Sequence, residues 1–204
     1  MSIPPAFNCP SCGASLSPRF KYSKIITCEN CQSGLFLDDK SVQLRGESSV
    51  MADYPSLLKL YSDFQHKKWR FQPIGHLRFE YAHGFWDEWW VISPSGQGKW
   101  ISVDEGDYAI EVPVKINNPE LRFDKLVLGE KVPLFGEQLL VTELGQATCV
   151  GLEGELPEVI SLNDQFKYAH LSGQKQSLFT LELQNNTLSL YKGTWVDAFE
   201  IKAV

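Results

Sequence analysis

IGHLRFEYAHGFWDEWWVISPSGQGKWISVDEGDYAIEVPV, residues 74–114, is the stretch that decides the fold. It holds four short runs rich in aromatic and β-branched residues: Ile74 to Tyr81, Phe85 to Ser93, Lys99 to Val103 and Tyr108 to Val114. The breakers Ser93-Pro94-Ser95-Gly96-Gln97-Gly98 and Asp104-Glu105-Gly106-Asp107 part them, since proline fixes φ and removes a donor while glycine accepts positive φ. Short runs joined by tight turns make an antiparallel meander, so the chain reads as mostly β. The period of two puts Trp86, Glu88 and Trp90 on one face of a strand and Phe85, Asp87 and Trp89 on the other.

A similar order of features returns downstream. Leu126 to Gly129, a turn at Phe135-Gly136-Glu137, and Leu139 to Val141 shadow Leu58 to Tyr61, the turn His66-Lys67-Lys68, and Phe71 to Ile74. Phe179 to Leu183, Gln184-Asn185-Asn186 and Leu188 to Trp195 echo the first meander. The repeat predicts a body of two duplicated SH3-like barrels or half-sandwiches, residues 54–120 and 121–204, either side by side or within one compact domain. Residues 54–69 are ambiguous. Leu57, Leu60, Tyr61 and Phe64 recur at helical spacing, yet Leu58, Leu60 and Phe64 with Trp69 and Phe71 also fit two strands about a polar turn.

Upstream, Cys9-Pro10-Ser11-Cys12-Gly13 and Cys28-Glu29-Asn30-Cys31 form two knuckles with fifteen residues between them. Paired thiolates at this spacing point to a four-cysteine zinc ribbon over residues 1–37. A closed tetrahedral shell leaves no position for a substrate, so a zinc ion here is structural. Gly13 suits a tight knuckle. The second pair has Gln32-Ser33 before Gly34, so its glycine comes late. The competing readings are a redox dithiol, which lacks its βαβ setting; a disulfide pair, disfavoured by compartment; and iron in the same shell, which stays open. Cys149, among apolar neighbours, reads as a buried small hydrophobe. Residues 38–53, rich in charged and small residues, read as a linker.

Composition fits a folded, soluble chain: 43% hydrophobic, 12% aromatic, with no apolar run of the roughly 18 residues a membrane span needs. Met1 to Asn8 has neither a basic nor an apolar leader region, so the expected compartment is the cytoplasm. Residues 1–50 carry five Lys/Arg against four Asp/Glu, leaving 14 against 21 for the body. An acidic body opposes a broad nucleic-acid footprint. A small basic, aromatic patch remains on the inter-knuckle loop at Arg19, Lys21 and Lys24, and it is the candidate contact for nucleic acid or an acidic partner. No phosphate loop, nucleophile elbow or dinucleotide fingerprint occurs, and His66, His76, His83 and His170 form no ligand pattern.

The tryptophan cluster has two readings. Its aromatics fill a core with carboxylates satisfying buried donors, or Glu80, Trp86, Asp87, Glu88, Trp89 and Trp100 form a cup for a cationic group such as a polyamine or a partner's lysine. Phe79-Glu80-Tyr81, Trp86-Asp87-Glu88-Trp89 and Trp100-Ile101-Ser102, with Gly154-Glu155-Leu156-Pro157, Tyr168 to Leu171 and Leu190 to Gly193, resemble the signature of an uncharacterised bacterial domain-of-unknown-function family, often preceded by a zinc ribbon. Gly75, five before Glu80, departs from that family's spacing. The resemblance implies a mostly β domain without an established activity, in a context of membrane-stress proteins. The function expected is therefore a non-enzymatic, zinc-binding scaffold or adaptor whose partner is a protein, with a membrane-associated complex as the setting the resemblance implies. The alternatives are a nucleic-acid-binding ribbon protein, and a small-cation (polyamine-like) binding domain or enzyme accessory subunit.

Overall fold

In the computed structural model, residues 5–38, 41–48, 51–52, 54–116, 118 and 120–204 are described. The ribbon supplies β1 (Phe7–Asn8), β2 (Ser15–Leu16), β3 (Ile25–Thr27), β4 (Ser33–Asp38) and β5 (Ser41–Ser48). The body supplies β6 (Phe64–His66), β7 (Trp69–Tyr81), β8 (Gly84–Ile92), β9 (Gly98–Asp104) and β10 (Asp107–Pro113). It continues with β11 (Lys131–Leu134), β12 (Glu137–Leu156), β13 (Gln165–Ser172), β14 (Ser177–Gln184), β15 (Thr187–Val196) and β16 (Ile201–Ala203). No α-helix occurs among the described residues.

β7 to β10 form the meander read from residues 74–114, and β12 to β15 form a second one. The expected pair of separate barrels is not what they build. β10 pairs with β15, as Ile110 lies opposite Thr194, and β7 pairs with β12, as Leu77 lies opposite Leu152. These two long-range pairings join the meanders edge to edge, so the eight strands close into one antiparallel barrel. The physical reason is the edge. A four-stranded sheet leaves two unpaired edges, and joining the halves removes all four. The repeated order survives as topology: the β6–β7 hairpin before the first meander has its counterpart in the β11–β12 hairpin before the second.

Alternation sorts the walls. Leu77, Phe79, Trp86, Glu88, Trp90, Trp100, Ser102, Glu111, Thr180, Glu182, Tyr168 and Tyr191 sit at inward register positions. Their neighbours face outward into two further apolar layers. Over the first meander, Phe71, Trp89, Val91, Ile101 and Tyr108 pack beneath Leu58, Phe64 and Ile201. Over the second, Leu139, Val141, Ala169, Leu171, Phe179, Leu181 and Leu190 pack beneath Leu121, Leu126 and Leu134. The outer faces thus carry apolar layers of their own, and the interior combines an apolar part, with Phe79, Trp90, Trp100 and Phe166, and a polar part around Glu88, Glu111 and Glu182.

Residues 54–63 form no helix. Tyr61 takes φ 61°, outside the helical region, Leu57 is exposed and Leu58 buried, and the strand-and-turn alternative holds for β6, the turn at Lys67-Lys68 and β7. The segment read as a linker contains β5, which pairs with β4 through Leu44 opposite Leu35 and Val42 opposite Leu37. Residues 39–40, 49–50 and 53 of that segment lie outside the described residues. The ribbon sheet is continuous with the body, because the end of β12 pairs with β3, Glu155 opposite Ile26 and Leu156 opposite Ile25.

Candidate functional site

The four cysteines converge. In the first knuckle Cys9 N–H donates to Ala14 O at 2.8 Å and Gly13 N–H to Cys9 O at 2.8 Å, with Gly13 at φ 79°. The second repeats the turn with Gln32 N–H on Cys28 O at 2.8 Å, and the left-handed position, φ 60°, falls on Gln32 itself. All four sulfurs lie within 4.8 Å of one another, Cys9 Sγ to Cys31 Sγ being 3.8 Å and Cys12 Sγ to Cys28 Sγ 3.7 Å. A tetrahedral ion with metal–sulfur distances of about 2.3 Å requires sulfurs about 3.8 Å apart, so the residues fit a metal ion. Hydrogen bonding from the Ser33 hydroxyl and amide pulls the Cys31 thiol down to about 6, whereas burial pushes Cys28 up to about 11. A bound cation holds all four as thiolates.

The second site is inside the barrel. A cavity of about 240 Å³ is lined by Trp86, Glu88, Ser102, Glu111, Thr180 and Glu182, and nearer its mouth by Asp104, Asp107, Glu143, Tyr168, His170 and Trp195. It reaches the surface past the exposed residues Glu105, Asp107 and Thr142. An eight-stranded barrel leaves an interior wide enough for side chains or one small ligand. A larger groove of about 670 Å³, between Ile116, Phe123 and Leu188, is open on one side and gathers no converging carboxylates. The barrel cavity is the better candidate, being more enclosed and having polar groups aimed inward.

Its carboxylates are held differently at two depths. In the deeper layer, Glu111 accepts from the Ser102 hydroxyl at 2.7 Å and the Thr180 hydroxyl at 2.8 Å, and Glu88 accepts from Trp86 Nε1 at 2.9 Å. Burial, reinforced by the charges of Glu111 and Glu158, pushes Glu88 up to about 8. Burial and the neighbouring charges of Glu88, Glu158 and Glu111 hold Glu182 well above the usual carboxylate range. No Lys or Arg among the described residues lines the cavity. At the mouth, Glu143 accepts from the Tyr168 hydroxyl at 2.6 Å and lies 3.1 Å from His170 Nδ1. The His170 hydrogen bond holds Glu143 below its ordinary range, while burial and then Glu143 and Glu105 raise Asp104.

The residues of the expected cup are divided between the two faces of the wall. Trp86 and Glu88 line the cavity, and Trp100 lies beneath them, 5.0 Å from Trp90 centroid to centroid. Glu80 is exposed on the outer face. Asp87 and Trp89 also face outward, in a buried polar network. Arg78 donates through Nε and Nη2 to the two oxygens of Asp87 at 2.7 and 2.9 Å, and through Nη1 to Ala52 O at 2.8 Å. His76 stacks on Trp89 at 3.8 Å, with Nδ1 2.9 Å from Glu153 Oε1 and Nε2 3.1 Å from Asp87 Oδ1, off the line of a hydrogen bond. Burial opposes the imidazolium, but Asp87 and Glu153 outweigh it and raise the His76 pKa. Glu111, Glu182 and Glu143 carry no motif, and His170 is marked only by its place in the Tyr168 to Leu171 stretch of the family resemblance. The signal of the three carboxylates lies only in which cross-strand partners they meet.

The basic loop is partly spent. Arg19 Nη1 lies 3.3 Å from Glu29 Oε1, and its guanidinium stacks over Tyr61 at 3.8 Å. Lys21 sits over the exposed Tyr22 ring at 4.5 Å, and Lys24 is exposed. No helix among the described residues is long and apolar enough to cross a membrane. No curated protein and no solved structure matches the chain. The barrel is another matter: from the turn before β6 to the short 3₁₀ turn after β15, residues 63–198 match the model of the domain of unknown function DUF4178, and the chain, two thirds of it covered, belongs to that family.

Proposed function

We propose that this chain is a non-enzymatic binding module whose barrel cavity takes a small organic cation, an aliphatic ammonium of the polyamine type, with a structural zinc ion on Cys9, Cys12, Cys28 and Cys31. The observation that carries the reading is the deeper layer of the cavity: Glu88, Glu111 and Glu182 face one space that no Lys or Arg among the described residues lines. Uncompensated carboxylates in a low-dielectric interior are costly, and a cationic guest removes the cost. Trp86, Tyr168 and Trp195 add ring faces suited to a methylene chain or an ammonium. The volume suits a small metabolite better than a drug-sized ligand of roughly 300 Å³ or more. A lysine side chain of a protein partner has the same chemistry, which keeps the adaptor role in the same site. The cytoplasm, where the four thiols stay reduced, fits the ribbon. Nucleic acid is the weaker reading, since Arg19 already engages Glu29 and Tyr61.

The test is calorimetric titration of the zinc-loaded protein with 1,4-diaminobutane, ethylammonium and Nα-acetyl-lysine amide, against 1,4-butanediol as a neutral isostere. Amine binding that tightens as pH rises through the Glu88 range and is lost in Glu88→Gln/Glu182→Gln, but kept in Glu80→Gln, is expected. Tighter binding of the lysine derivative than of the free amines points to a protein partner. Equal binding of diol and diamine, or no heat from any amine with the folded protein, refutes the proposal.

A further inference from the structure

The segment between the knuckles reaches into the barrel's closed end. Phe20 is 6% exposed and sits edge-on to Trp90 with centroids 5.5 Å apart. Ile25 belongs to the same cluster as Ile74, Leu77, Trp90, Trp100, Leu152 and Leu156. The loop is latched by one buried carboxylate. Arg19 N–H donates to both oxygens of Glu155 at 2.8 and 2.9 Å, Phe20 N–H donates at 3.2 Å, and the Ser23 hydroxyl at 2.8 Å. Lys24 N–H then donates to Leu156 O at 2.8 Å, starting the β3–β12 pairing that ends at Ile26, two residues before Cys28. Directly above Phe20 come Trp90 and Trp100, and Glu111 lies opposite Trp100 in the register. The plug thus meets the tryptophan floor, with Glu111 beside Trp100 and Glu88 two residues further along β8 from Trp90 on the same face.

We propose that the ribbon is a metal-dependent plug: an ion on Cys9, Cys12, Cys28 and Cys31 fixes both ends of the inter-knuckle loop and seats Phe20 under Trp90, and loss of the ion unseats it. The reason is loop entropy. With the ion in place the loop is closed at Cys12 and Cys28, and the Glu155 latch has only to orient a short, tethered segment. Without it, the latch, the two-residue β3–β12 ladder and the packing of Phe20 and Ile25 must order an inter-knuckle loop that is no longer closed at its ends. Unseating Phe20 opens the tryptophan floor to water and so changes the medium around Glu88 and Glu111. This consequence for the cavity rests on the cation-binding reading, but the plug itself does not, and its test uses no ligand.

Amide hydrogen exchange of the full chain is compared by mass spectrometry in the zinc-loaded and chelated forms, with metal content measured on each. The expected result is exchange about tenfold faster at residues 74–77 and 152–156 on chelation, the scale set by losing one charge-assisted latch. Protection at residues 168–171 and 180–182, across the barrel, stays unchanged. Phe20→Ala, with zinc retained and the cysteines untouched, should reproduce the local pattern. Unchanged exchange at residues 74–77 and 152–156 after confirmed metal loss overturns the proposal, as does an unaltered pattern in Phe20→Ala. Protection lost over all eight strands alike also overturns it, since the ion would then be a general stabiliser.

Discussion

Replacing Glu88 with glutamine isolates the cost of a carboxylate in the barrel. Glutamine keeps an oxygen to accept from Trp86 Nε1, so geometry is preserved while charge is removed. Glu88 is raised from 4.5 to about 8 in the folded protein, so folding is opposed wherever the unfolded chain holds this group ionised. For a group raised on folding, the favourable contribution is fully present below the unfolded value and is lost as pH rises through the folded one. Linkage then removes about 2.6 kcal/mol from the wild type between about pH 6 and about pH 9 if the full shift applies. The carboxyl borders a cavity that reaches solvent, which screens it, so roughly 1–2 kcal/mol is the working expectation. Urea denaturation of zinc-saturated wild type and Glu88→Gln across this range measures it. Glu88→Gln should hold its midpoint toward alkaline pH better than the wild type and exceed it at the alkaline end. Parallel curves, or a variant weaker at every pH, would refute the argument that the inner layer carries uncompensated charge.

Three further outcomes follow from the packing. Arg78→Met removes the bidentate partner of the buried Asp87, leaving it only His76 at 3.1 Å, and should cost about 3–5 kcal/mol in the same denaturation assay, a loss below about 1 kcal/mol contradicting the network. Gly98→Ala drives a Cβ into the Trp90 ring at Cζ2, so the floor must shift; a stability loss of about 1–3 kcal/mol with altered near-ultraviolet dichroism is expected, and unchanged dichroism counts against the packing. Gln32→Gly relieves a left-handed non-glycine turn in the second knuckle and should slow zinc transfer to a competing chelator, with about 1 kcal/mol gained; faster transfer contradicts the assignment of strain to Gln32.

Local chemistry was legible in the sequence wherever it is decided within a few residues. Cysteine spacing carries the knuckles, and the breakers at residues 93–98 and 104–107 carry the first meander, because turn geometry is set by the turn's own residues. Two features misled. The helical spacing at residues 57–64 does not mark one buried face: Leu60 and Phe64 lie over Trp89 and Ile101, Tyr61 packs on the barrel cluster and Leu57 is exposed, while β5 looks like a linker because an edge strand tolerates charge. Closure was illegible, since Ile110 meets Thr194 and Leu77 meets Leu152 across long stretches of chain that no local pattern encodes. The site depends on closure, so Glu111 and Glu182 stayed hidden among ordinary alternating strands.

Period-two alternation gives two faces but not which of them is inside. In β14, Phe179 and Leu181 alternate with Leu178, Thr180 and Glu182, and the usual sorting sends the apolar set inward and the polar set to water. Here the apolar set faces out of the barrel under the β11 segment, and the polar set faces the cavity. The same inversion holds in β9, where Ile101 is covered from outside while Ser102 and Asp104 look in. The outer faces and one part of the lumen are already apolar, and selection on stability alone would fill the rest of the lumen with apolar side chains as well. Three carboxylates in its deeper layer run against that pressure, and the opening prediction puts a stability cost on one of them. A cost held in an enclosed space points to a guest of opposite charge. Glu88→Gln should therefore gain alkaline stability and lose amine affinity in one protein, and a variant that did only one of these would separate the cavity's electrostatics from its function.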